Sequence, residues 1–114
     1  MTDGRLTHAG LARLAALDPD TLDALAHPSR RLLVYELSSA TGYWSVAEVA
    51  AAVRAADPRA DADASAEDRR TEFYHRHLPK LDASGLVEFD REGERVRVTE
   101  RGVDCAERLA AALN

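Results

Sequence analysis

Residues 71–87, Thr71-Glu72-Phe73-Tyr74-His75-Arg76-His77-Leu78-Pro79-Lys80-Leu81-Asp82-Ala83-Ser84-Gly85-Leu86-Val87, decide how the rest of the chain is read. At about 100° per residue the spacing predicts a helix with Tyr74, His77, Leu78 and Leu81 on one face. Glu72, His75, Arg76 and Pro79 fall opposite, with Arg69, Phe73 and Lys80 on the flank. Gly85 ends the helix, and Leu86-Val87 opens an apolar strand. A helix with basic and aromatic groups outward, running straight into a strand, has the layout of a groove-reading helix followed by a β-hairpin. The chain as a whole carries a net charge of −5, so a nucleic-acid partner must be reconciled with an acidic protein.

Working outward, punctuation and periodicity divide the 114 residues into one domain with two helical additions. Leu6, Leu11, Leu14 and Leu17 predict a helix over residues 5–17, stopped by Asp18-Pro19. A second helix is expected over about 20–26, broken by His27-Pro28. Ser29 is expected to cap a third helix through about Ser39. Ser45-x-x-Glu48 is a capping-box pattern that opens a helix through about Ala55. Residues 56–66 read as an acidic loop, the segment expected to be most mobile. The key helix then spans about 67–84. Two short alternating strands, 86–90 and 95–99, flank the turn Arg91-Glu92-Gly93-Glu94, and a last helix spans about 100–113.

Composition narrows the setting. Fourteen arginines stand beside a single lysine, Lys80, and are outnumbered by 20 acidic residues. Lysine-poor, acid-rich usage resembles the proteins of extreme halophiles, in which a hydrated acidic surface keeps the chain soluble; codon bias alone accounts for Ala and Arg but not for the acid excess. No run approaches the roughly 18 apolar residues of a membrane span, and Met1 to Gly10 lacks the apolar stretch of a signal peptide. The one cysteine, Cys105, fits a reducing compartment, so a cytoplasmic location without membrane contact is expected. No phosphate loop or nucleophile-with-base arrangement appears, and no enzyme activity is expected.

Three segments carry a family resemblance. Leu25-Ala26-His27-Pro28-Ser29-Arg30-Arg31-Leu32-Leu33 resembles the opening of ArsR-type winged helix-turn-helix repressors. Arg76-His77-Leu78-x-x-Leu81-x-x-Ser84-Gly85-Leu86-Val87 is similar to the end of their recognition helix and the start of their wing. Val96-x-Val98-Thr99-x-x-Gly102 is similar to their second wing strand and the turn into the final helix. The combination looks closest to small winged-helix proteins of haloarchaea. The resemblance implies a mainly α fold with a small β-hairpin wing. On this reading residues 1–19 are expected to form an N-terminal helical extension, 20–99 the winged helix-turn-helix domain, and 100–114 a C-terminal dimerisation helix. It further implies a DNA-binding transcriptional regulator acting as a homodimer. A protein–protein adaptor that has kept the fold without sequence-specific DNA binding is the alternative, and a regulator with a small-molecule effector is a third reading.

Residue by residue, the candidate DNA contacts are Arg69, Arg70, Phe73, His75, Arg76 and Lys80 on the helix, and Arg91, Arg95 and Arg97 on the wing. From Arg69 to Lys80 four basic side chains against Glu72 leave a balance of +3. Arg76 suits a guanine edge, and Arg69 and Arg70 suit phosphates. Glu72 and Pro79 oppose this reading: one repels phosphate, and the other removes a backbone donor from a helix interior. Leu6, Leu11, Leu14, Val103, Ala106, Leu109, Ala110 and Leu113 are expected in the dimer interface. His75 and His77 project about 200° apart on a regular helix and cannot share a metal. With Cys105 alone and His8 and His27 distant, neither a metal site nor a cofactor is expected. His77 is read as a hydrogen-bonding core residue, His27 as a helix-boundary residue and Cys105 as a packing residue. Trp44 is expected to pack where a short first strand joins the wing.

Overall fold

Local sequence signals account for most element boundaries in the computed structural model, which describes residues 18–57 and 64–112. The helix expected over residues 5–17, the centre of the acidic loop and Leu113 lie outside the described residues. Helix α1 (Pro19–Ala24) begins at Asp18, whose carboxylate accepts from the Thr21 N–H at 2.9 Å. Pro19 occupies the first turn, where no N–H is required. Helix α2 (Pro28–Ser38) is capped by His27, not by Ser29: His27 Nδ1 accepts from the Ser29 N–H at 3.1 Å. The fixed φ of Pro28 suits the first helical position and draws the cap back to residue 27. Arg30 and Arg31 reach back to the carbonyls of Ala24 and Leu25, at 2.6 and 2.9 Å, and fill the open C-terminal end of α1.

Strand β1 (Trp44–Ser45) leads directly into α3 (Val46–Ala56). Both bonds of the capping box are present, Glu48 N–H to Ser45 Oγ at 3.0 Å and Ser45 N–H to Glu48 Oε1 at 3.1 Å. The key helix follows in three parts: α4 (Ala66–Glu72), a widened turn at Phe73–His77 and α5 (Leu78–Ala83). It ends in a Schellman cap. Gly85 adopts φ +77, its N–H bonds to the Asp82 carbonyl at 3.0 Å, and the Leu86 N–H bonds to the Leu81 carbonyl at 3.1 Å. That cap aims the chain into β2 (Val87–Asp90), which pairs with β3 (Arg95–Val98) before α6 (Glu100–Ala112). The sheet is antiparallel in the order β1-β3-β2, with Trp44 opposite Val96 and Val87 opposite Val98. Trp44 is half-buried against the core, at the base of the wing as its sequence position implied.

Helix α2 is the centre of the packing. Leu33, Val34 and Leu37 are buried between α3, the sheet and α6, and Leu78 and Leu81 close the core from the key helix. The result is a mainly α fold in which α3 and the key helix form a helix-turn-helix and β2–β3 form a wing. The turn from the wing into α6 leaves no room for a side chain at Gly102, because a Cβ there meets the Leu86 carbonyl oxygen and the Val98 side chain. Gly102→Ala is therefore expected to destabilise the protein by about 2–3 kcal/mol through overpacking, as measured by urea denaturation; unchanged stability would show that the α6 junction is looser than this packing implies.

Candidate nucleic-acid interface

Pro79 sets the geometry of the exposed face. A proline inside a helix has no N–H to offer the carbonyl four residues back, here that of His75, and its ring presses against that carbonyl. The helix widens just before it. Phe73–His77 is a π turn, in which the Leu78 N–H bonds to the Phe73 carbonyl five residues back. The disturbance expected from Pro79 is thus taken up in the preceding turn, within a helical run from Ala66 to Ala83.

The wider turn changes which residues share a side. Glu72 and His77 would stand about 140° apart on a regular helix, yet Glu72 Oε1 lies 3.1 Å from His77 Nε2. Phe73 swings inward, is only 5% exposed, and packs edge-on to His77 at a ring separation of 5.1 Å. The expectation of Phe73 on the DNA-facing flank is corrected by this burial: Phe73 belongs to the core. Tyr74 is half-buried instead, packed edge-to-face on Phe89, with its hydroxyl donating to the Arg91 carbonyl at 3.2 Å.

The basic side chains fall into two groups. His75 and Arg76 project outward; Arg76 is 65% exposed and makes only a long contact of 3.8 Å to Glu72. Arg91 stands exposed at the wing turn. The others are engaged. Arg70 sits between Glu67 at 3.2 Å and Glu94 at 2.7 Å, and these carboxylates hold its pKa above the usual arginine value. Arg69 donates to the Ala64 carbonyl at 2.6 Å, and Lys80 pairs with Asp23 of α1. On the wing, Arg95 and Arg97 pair with Asp90 and Glu88 at 3.2 and 2.7 Å, each with the residue directly opposite across the strands. Both guanidinium groups also lie over the exposed ring of Tyr43, at 4.6 and 5.3 Å from its centroid.

The expected dimer residues divide similarly. Ala106 and Leu109 are corrected: α6 turns this face onto the protomer's own core, where they are buried beside Cys105. Val103 and Ala110 remain half-buried. Burial pushes the Cys105 thiol above its ordinary pKa, which suits a packing residue and not a reactive thiol.

His27 is also corrected. It is distant from His77 in sequence but not in space, because its position at the start of α2 brings the two rings to 4.6 Å. His77 is fully buried, and its Nδ1 has no hydrogen-bond partner. Burial and then the neighbouring His27 push its pKa down to about 4, against the opposing pull of Glu72. Ligand atoms of His27, Glu72 and His77 all lie within 4.8 Å of one another. Reading the helix as regular hid this cluster; Pro79, taken as a signal of i→i+5 pairing in the turn before it, is what could have revealed it.

The fold and its exposed helix-plus-wing surface define a winged helix-turn-helix protein. Residues 22–97 match the family described as a domain of unknown function, DUF7344, and the chain belongs to that family. No curated protein and no solved structure matches the chain. The reassignment of Phe73 has a direct test: Phe73→Ala is expected to lower stability by about 3–5 kcal/mol, the cost of truncating a buried aromatic, in a denaturant titration. A loss near zero would return Phe73 to the surface.

Proposed function

We propose that this protein is a winged-helix transcriptional regulator that binds double-stranded DNA, as a homodimer, in a high-salt cytoplasm. The observation that carries the reading is the coupling of helix to wing. The Tyr74 hydroxyl holds the Arg91 carbonyl, and Arg70 holds Glu94, so the wing turn is docked beside the helical turn that carries His75 and Arg76. A helix entering the major groove would then bring the wing against the neighbouring backbone. Arg76 reads a guanine edge, His75 donates to a base or phosphate, and Arg91 contacts phosphate. Among the described residues no helix is long and apolar enough to cross a membrane.

Arg70, Lys80, Arg95 and Arg97 serve as a supporting ring with Arg69, since exposed ion pairs such as those of the first four are worth only about 0–1 kcal/mol and can be exchanged for phosphate. At molar salt counterion release adds little, so affinity rests on direct and water-mediated contacts at Arg76 and its neighbours. Dimerisation draws on the half-buried Val103 and Ala110 together with Leu6, Leu11, Leu14 and Leu113.

One observation favours a second reading, a protein–protein adaptor: most of the basic side chains on this surface already face a carboxylate of the same chain. Genome-wide immunoprecipitation with sequencing in native salt separates the two. A shared DNA motif at the enriched loci supports the regulator, and co-purification without a motif supports the adaptor. On an operator so identified, Arg76→Ala is expected to weaken specific binding by about 1–3 kcal/mol in a gel shift at high potassium; full affinity in this variant would exclude the proposed docking.

A further inference from the structure

We propose that His27, Glu72 and His77 form a binding site for a divalent transition-metal ion of the zinc class, clasping the start of α2 to the π turn of the key helix. The site goes beyond the DNA-binding reading and does not depend on it. The three residues come from two elements, and their ligand atoms already lie within 4.8 Å of one another. Tetrahedral zinc with bonds of about 2.0–2.2 Å needs its ligand atoms about 3.3–3.6 Å apart. The 3.1 Å between His77 Nε2 and Glu72 Oε1 is within a few tenths of that, so only His27 has to close in. Two imidazoles and a carboxylate suit zinc, cobalt or nickel over calcium or magnesium, which prefer oxygen throughout. The Glu72 side chain is 48% exposed, leaving the cluster open to water as a fourth ligand.

His77 is completely buried, with the rings of His27 and Phe73 against it. Nε2, the ring nitrogen that faces Glu72, is the one the ion would take. The proton inventory is consistent with binding. Glu72 as a carboxylate only accepts, so the neutral His77 ring carries its proton on Nε2. Metal binding at Nε2 moves that proton to Nδ1, where it breaks no existing hydrogen bond but finds no acceptor, a cost that the bonds to the ion must offset. At His27 the same shift gives up the bond from the Ser29 N–H to Nδ1, the one existing protein contact besides the Glu72–His77 bond that the ion must replace.

The test uses the untagged full chain. Calorimetric titration with zinc chloride is expected to show one ion per chain, and cobalt(II) is expected to give the intense visible bands of a tetrahedral site. Glu72→Gln keeps a hydrogen-bonding group beside His77, and His27→Asn keeps an acceptor at the helix cap, so neither variant depends on unfolding for its effect. Each is expected to weaken zinc at least 10-fold, while Glu107→Gln on α6 leaves the affinity unchanged. Circular dichroism confirms that each variant is folded. Absence of saturable binding to the wild-type chain, or wild-type affinity in either folded variant, overturns the site.

Discussion

The missing N–H of Pro79 is the constraint on which the exposed helix depends. A regular α-helix through residues 66–83 would place the Pro79 ring against the His75 carbonyl and leave that carbonyl without its donor. The π turn at Phe73–His77, directly before the proline, advances the hydrogen-bond pattern by one residue. Everything after the turn is shifted in phase relative to everything before it. Leu78 and Leu81 are thereby seated in the core while Arg70 still reaches the wing at Glu94. Phe73 and His77 are both drawn inside, and Tyr74 is left at the margin where its hydroxyl can fasten the wing.

Charge is organised locally on this surface. Three arginines of this surface have carboxylate partners: Glu67 one helical turn away and Glu94 of the wing turn for Arg70, and the cross-strand Glu88 and Asp90 for Arg97 and Arg95. Such pairs contribute little net stability where water has access. Their effect is to fix side-chain direction, which would lower the entropy lost on binding an anionic partner. The surface is therefore poorly described by its net charge, since the acids that offset the arginines also position them.

Much of the fold was legible because its signals are local. The Ser45/Glu48 capping box, the Gly85 helix end and the strand alternation around residues 91–94 each reflect chemistry within a few residues, and the elements appear close to where these signals put them. Two misreadings came from the same source. Applying 100° per residue through the turn before Pro79 put Phe73 on the flank and separated Glu72 from His77, whereas the widened turn brings Glu72 and His77 together and buries Phe73. The His27 cap was hidden for another reason: histidine is an uncommon helix cap, and Ser29 nearby satisfies the ordinary preference. Ala106 and Leu109 illustrate a third limit. An amphipathic helix states that one face is buried without saying whether its own domain or a second copy buries it, and α2 supplies the cover here.

Glu72, which looked out of place on a DNA-facing helix, links the interior to the surface. Its carboxylate faces His77 on the inner side at 3.1 Å and Arg76 on the outer side at 3.8 Å. The inner contact is the better hydrogen bond by length, and it is made to a ring that burial keeps neutral. Glu72 is consequently oriented by the core more than by Arg76, and most of its field toward solvent remains available to restrain that arginine. The same contact explains how a fully buried histidine is tolerated beneath an exposed helix: one ring nitrogen is satisfied by a residue that still reaches water.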